Sequence, residues 1–204
     1  MPETTRAFAA LEIPMESRLI LGRYCAGLRE RPGGGKIRWV RPEIIHMTVR
    51  FFGDLDRKQL KRAREAIRSL DGIWDRPVVA MGEIGAFPNR RRPQVVWLGI
   101  DDPGASVAAL AEASDRAIRL HGFGAPDKPF VPHLTLGRLV RGAPPVDIDQ
   151  LSAGLTPPRG ELTIASITLF QSDLRPQGPV YTPLEIARPK GAVTGSESPK
   201  AAGP

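Results

Sequence analysis

Two rhythms of apolar residues run along the chain. Arg6 to Ile13, closed by Pro14, reads as an opening strand. From Glu16 to Arg31, Leu19, Ile20, Tyr24 and Leu28 return at helical spacing, and Pro32-Gly33-Gly34-Gly35 stops the pattern. Ile37 to Val40 and Ile45 to Phe52 read as strands on either side of Arg41-Pro42-Glu43. Helical spacing resumes from Asp56 to Leu70, with Leu60, Ala63, Ile67 and Leu70 on one face. Asp56 and Gln59 have the spacing of a capping box, in which each side chain satisfies the other's backbone N–H. Val78 to Ala86 and Gln94 to Ile100 are strands joined by a segment containing Pro88 and Arg90-Arg91-Arg92. Asp102-Pro103 predicts the cap and first position of a third helix, through Val107, Leu110, Ser114 and Ile118 towards Gly122. A strand from His133 to Val140, a helical turn around Asp147 to Ala153, and strands Glu161 to Phe170 and Val180 to Ile186 complete the pattern.

Several consecutive strands are joined by connections too short to hold a helix. Such links suit antiparallel neighbours, because parallel strands need a long crossover. The expectation is an α+β fold with mainly antiparallel sheets, a single domain over residues 1–186. From Ala187 the chain turns to Gly, Ala, Pro, Ser, Thr and Lys. That composition offers too little apolar surface to offset chain entropy, so residues 187–204 are expected to form a disordered tail.

Composition narrows the chemistry. With 204 residues and 41% apolar content the chain can bury a core, and 6% aromatic residues leave Val, Ile, Leu and Ala to build it. Cys25 is the one cysteine, so no disulfide forms within the chain, and its place near an apolar stripe predicts a small buried hydrophobe. One Cys and three His cannot supply a structural zinc site of the usual Cys/His kind. The early apolar runs are short and broken by charge, which argues against a signal peptide or membrane span and makes the cytoplasm the expected compartment. Net charge is +7, and +5 remains when the last 18 residues are left out. The excess lies on the folded part, a surface that favours polyanions such as nucleic acid.

Two of the three histidines share a local pattern: His46-Met47-Thr48-Val49 and His133-Leu134-Thr135-Leu136. They lie 87 residues apart, near half of the folded length. On a strand, side chains alternate between faces, so His and Thr share one face and the apolar pair the other. With the apolar faces in the core, a pseudo-twofold would bring two imidazoles and two hydroxyls around one cleft. This set suits in-line attack at phosphorus. A neutral imidazole takes a proton from water, a charged one gives a proton to the departing oxygen, and the hydroxyls hold the non-bridging oxygens. The near symmetry of the motifs leaves open which histidine plays which part. His121, beside Gly122, lacks the pattern and suits packing or capping at a helix end.

These paired motifs resemble those of the two-histidine (2H) phosphoesterases, and within them the RNA 2′,3′-cyclic phosphodiesterases, also called 2′-5′ RNA ligase-like proteins. The resemblance runs almost to Ile186. It includes Arg6-Ala7-Phe8-Ala9-Ala10-Leu11-Glu12-Ile13-Pro14, the stretch from Arg38 to Gly53, Gly85-Ala86-Phe87-Pro88, Val95-Val96-Trp97-Leu98-Gly99, and Pro129 to Arg138. It implies a bilobal, pseudo-twofold α+β fold of mainly antiparallel sheets flanked by helices, with the cleft between the lobes. It implies hydrolysis of a 2′,3′-cyclic phosphate on RNA ends to a 2′-phosphate, without cofactor or metal. By the same resemblance His46 is the proton donor and His133 the acceptor, Thr48 and Thr135 contact the phosphate, and Arg138 binds it. The implied partners are RNA ends or nucleotides with a cyclic phosphate; no membrane association and a monomeric chain are expected, and no protein partner is inferable from the sequence. Alternation alone turns Arg138 away from His133, so a bulge or strand end must redirect it. Arg50 falls on the His46 face by alternation and is a second phosphate-binding candidate. Arg90-Arg91-Arg92 could contact phosphates, and Trp39 or Phe8 could stack a base, although core packing suits both aromatics. Two alternatives remain: 2′-5′ RNA ligation in the same cleft, or an RNA-end-binding protein without turnover.

Overall fold

In the computed structural model, which describes residues 4–192, strands β1 (Thr5–Glu12), β3 (Met47–Leu55), β8 (Ser166–Arg175) and β9 (Gly178–Ala187) form one sheet. A second sheet holds β2 (Ile37–Trp39), β4 (Val78–Phe87), β5 (Val95–Asp101), β6 (His133–Leu139) and β7 (Glu161–Thr163). All the pairings in both sheets are antiparallel. The helices are α1 (Met15–Arg29), α2 (Arg57–Arg68), α3 (Ser106–Leu120) and the single turn α4 (Ile148–Ser152). The fold is therefore α+β and mainly antiparallel, as the short connections require.

Strand order exposes an internal repeat. The first sheet runs β3-β1-β8-β9, and the second runs β6-β5-β4-β7 with β2 added beyond β6. Each motif strand thus sits in the same place in its sheet. Helix α2 packs on β3, β8 and β9, and α3 lies against β3 and β4. On β1 the alternation is strict: Ala7, Ala9 and Leu11 enter the main core, while Phe8 and Ala10 face the opposite side with Phe170 and Tyr181.

Asp56 and Gln59 form the expected capping box at the start of α2. Helix α3 begins later than Asp102-Pro103 predicts, at Ser106. Asp102 still serves its first turn from outside, its carboxylate accepting the N–H groups of Ser106, Val107 and Ala108. The run Glu161 to Phe170 is two strands, not one. β7 pairs with β4 and β8 with β1, and at the step between them the Ala165 N–H donates to the Glu12 carbonyl. Apolar periodicity is blind to that change of sheet, because Leu162, Ile164 and Ile167 are buried on both sides of it. The packed chain also continues past Ile186. Ala187 is buried opposite Ile167, the Arg188 N–H donates to Asp71, and the Lys190 N–H donates to the Trp74 carbonyl. Residues 193–204 of the expected tail lie outside the described residues.

Candidate active site

A 3-10 turn at Pro42–Ile44 leads into His46, immediately ahead of β3. His46 Nδ1 lies 2.8 Å from the Ile44 carbonyl and Nε2 lies 3.1 Å from Thr48 Oγ1. A carbonyl can only accept, so Nδ1 carries the proton and Nε2 accepts from the threonine. His133 opens β6, and its Nδ1 donates to the Val131 carbonyl at 2.6 Å. In both motifs the anchor is the carbonyl two residues back. His133 thus leaves Nε2 open, whereas His46 Nε2 is met by the Thr48 hydroxyl.

Aromatic residues back both rings. His46 stacks on Phe8 with centroids 4.9 Å apart and meets the edge of Tyr181 at 5.4 Å. His133 lies edge-on to Phe87 at 5.2 Å and 6.1 Å from the Trp97 ring. Gly85 makes room for that indole, since a Cβ there would enter the Trp97 ring.

The two motif strands belong to different sheets yet bring Cα atoms within 8 Å of each other. Charge effects link the two sides. The His133 charge acts on His46, and the Arg138 charge acts on both His133 and Tyr181. Thr48 lies on the His46 side of β3, and Thr135 and Arg138 lie on the His133 side of β6.

Beyond each motif, a bulge decides which side chains turn to the cleft. In β3, Ala10 pairs with Thr48 and Ala9 with Arg50, leaving Val49 as the extra residue. In β6, Trp97 pairs with Thr135 and Val96 with Gly137, leaving Leu136 as the extra residue. The second bulge returns Arg138 to the His133 face, where it is exposed. The first bulge overturns the expectation for Arg50. It turns Arg50 to the helix side, where its guanidinium donates to Asp115 of α3 and the Gly124 carbonyl. Phe51, 65% exposed, takes the corresponding place on the His46 side and leans on Phe8.

Burial pushes His46 from its usual 6.5 down to about 4. The hydrogen bond to Ile44 and the Glu12 carboxylate oppose that fall, while the Arg18 and His133 charges add to it. Burial also lowers His133, opposed by the Val131 hydrogen bond and reinforced by Arg138. Burial would raise Glu12, but hydrogen bonds from Thr168, Arg18 and Ser166, with the Arg18 charge, hold it below its usual value.

The remaining candidates fall outside the cleft chemistry. Trp39 is buried and donates to the Gly34 carbonyl, and Phe8 lies beneath His46, so neither offers a free face to a base. Arg90 is engaged by Asp149 and the Ile84 carbonyl. Arg91 and Arg92 are exposed on a loop shaped by the Asn89 side chain. Cys25 is buried, which lifts its thiol to about 12, and His121 donates to Ala117 at the end of α3. Sequence reasoning missed Phe51, Tyr181 and Glu12. For Phe51 a signal existed: it follows His46 by five positions, as Arg138 follows His133.

The LigT like phosphoesterase family model matches residues 11–97 and again 98–181, each stretch containing one His-x-Thr-x motif. The chain belongs to the LigT-like phosphoesterase family. It is 31% identical to the RNA 2′,3′-cyclic phosphodiesterase of Methanothermobacter thermautotrophicus, over 90% of this chain and 98% of that protein. With the RNA 2′,3′-cyclic phosphodiesterase of Archaeoglobus fulgidus it shares 33% identity, over 78% of this chain and 88% of the other. Among solved structures, TT0787 of Thermus thermophilus superposes with a TM-score of 0.70 at 27% identity, covering 90% of this chain and 97% of that one. The fold is also that of Escherichia coli LigT complexed with 3′-AMP, at a TM-score of 0.69 and 24% identity, over 91% of this LigT-like chain and 98% of its counterpart. No helix among the described residues is long and apolar enough to cross a membrane.

Proposed function

We propose that this LigT-like phosphoesterase opens the 2′,3′-cyclic phosphate at RNA ends to leave a 2′-phosphate. The activity named for its relatives supports the reaction class. The observation that supports the residue assignment is the matched anchoring of two imidazoles at the start of strands in different sheets, each with Nδ1 held by the carbonyl two residues back, which makes Nε2 the nitrogen available for proton transfer. His133 Nε2 takes a proton from water as the water oxygen bonds to phosphorus. The P–O3′ bond breaks, and His46 Nε2–H gives its proton to O3′. Thr48, Thr135 and Arg138 donate to the phosphate oxygens, where charge is redistributed in the transition state.

Burial disfavours a charged His46. A phosphate anion drawn into the cleft reverses that preference, since an opposite charge nearby favours the protonated ring. Substrate thus helps to charge its own acid. Each proton transfer contributes about 10²–10⁴-fold, and positioning supplies the rest.

The test is product analysis with an RNA ending in a 2′,3′-cyclic phosphate, in excess chelator. A 2′-phosphate product is expected. A 3′-phosphate would reverse the leaving group, and no reaction by folded protein would overturn the reading.

A further inference from the structure

A row of aromatic rings runs from His46 across the first sheet and ends in an open face. Phe8 stacks on His46 at 4.9 Å and is itself buried. Phe51 stands directly across from Phe8 in the register of β1 and β3, so the two rings share one side of the sheet, with centroids 5.8 Å apart. On the other flank Phe170 pairs with Phe8 at 5.3 Å and is also buried. Strand β3 lies at the edge of its sheet, and there the Phe51 ring is 65% exposed. Water thus meets a phenyl ring only two ring contacts away from His46. The same side of β1 carries Arg6, exposed and two positions from Phe8.

We propose that Phe51 is the base-stacking residue of this site, its exposed ring carrying the base of the nucleotide that bears the cyclic phosphate. The inference rests on the phosphodiesterase reading, which sets the direction. Attack at phosphorus is in line, so the incoming water and the departing O3′ lie on opposite sides of the phosphorus. His133 handles the water, and His46 protonates O3′. The ribose that holds O3′, and the base attached to it, therefore lie over the first sheet and not the second. Phe87 and Trp97, the rings beside His133, back the side from which water comes. On the His46 side, Phe8, Phe170 and Tyr181 pack against one another, and Phe51 is the ring with a face left to give. Every base has a π face, so such a platform accepts the end of an RNA without reading its sequence. Arg6, further along the same side, matches the negative charge of the RNA backbone.

The test compares substrates that differ only in the base. Values of kcat/KM are measured for adenosine 2′,3′-cyclic phosphate and for a methyl riboside 2,3-cyclic phosphate, which lacks the base, with wild type, F51A and F51W. Wild type is expected to prefer the base-bearing substrate, and in F51A that preference should fall by about tenfold. F51W, with a larger ring, should keep it. An equal loss on both substrates would reduce Phe51 to a structural residue, and that result or an unmoved preference in F51A would overturn the proposal. Calorimetric binding of adenosine 2′-monophosphate and of inorganic phosphate needs no turnover. F51A should weaken the nucleotide by about tenfold relative to phosphate, and an unchanged ratio contradicts the proposal. Absence of turnover by wild type would count against the phosphodiesterase reading alone, leaving these affinities to decide Phe51.

Discussion

Val49 and Leu136 hold the same place in the two motifs, and a bulge leaves each of them without a partner. A bulge puts two consecutive residues on one face and so exchanges the faces of the residues that follow it, up to any further bulge. In β6 the exchange brings Arg138 beside His133. In β3 it brings Phe51 to the cleft and sends Arg50 to α3. Two motifs with the same first bulge thus present a cation on one side and an aromatic ring on the other.

Arg138 is expected to act on rate and on pH together. Its charge favours the neutral form of His133. In R138A the acidic limb of the pH–rate profile should move to higher pH, with kcat/KM down by about tenfold or more as one charge-assisted phosphate contact is lost. An unmoved acidic limb would separate Arg138 from His133.

Arg50 should matter for stability and not for turnover. Its side chain is 10% exposed and that of Asp115 15%. Removing one partner leaves the other carboxylate poorly compensated, although Arg119 still reaches it at 2.9 Å. R50A should lose about 2 kcal/mol in urea unfolding. Its rate per folded molecule should stay near wild type. A large loss of kcat/KM at full stability would return Arg50 to the phosphate site.

The contrast between these arginines marks what the sequence could reveal. The paired His-x-Thr-x pattern located His46, Thr48, His133 and Thr135 on the outward faces of two strands, because alternation is a local rule. The need for a bulge before Arg138 was also legible, since five positions cannot preserve a face on a regular strand. The equivalent bulge in β3 left no mark in composition, so strict alternation misplaced Arg50. The setting of Glu12 was hidden for another reason: its carboxylate is held by Arg18, Ser166 and Thr168, two of which lie more than 150 positions away. The change of sheet at Ala165 is likewise a tertiary event within an unbroken apolar run.

Stability should decline in acid in two stages. The folded His46 sits at about 4 against its usual 6.5. Below pH 6.5 the unfolded chain therefore binds the proton more readily, and stability falls as pH drops from 6.5 towards 4. Glu12 is held below its usual 4.5, so its contribution is present above that value and is lost as pH falls through its folded value. Urea midpoints between pH 7 and pH 3 check both stages. H46Q should remove part of the first, leaving the share of His133, which burial also lowers, and keep the second; parallel curves for H46Q and wild type would contradict the burial of His46.

The central claim is that two imidazoles act on one phosphorus. It is tested most directly by single-turnover cleavage of an RNA 2′,3′-cyclic phosphate by H46A, H133A and the double variant. Each single variant should lose about 10²–10⁴-fold while remaining folded, and the double variant should lose far less than the product of the two. Either single variant retaining near wild-type cleavage would contradict the account.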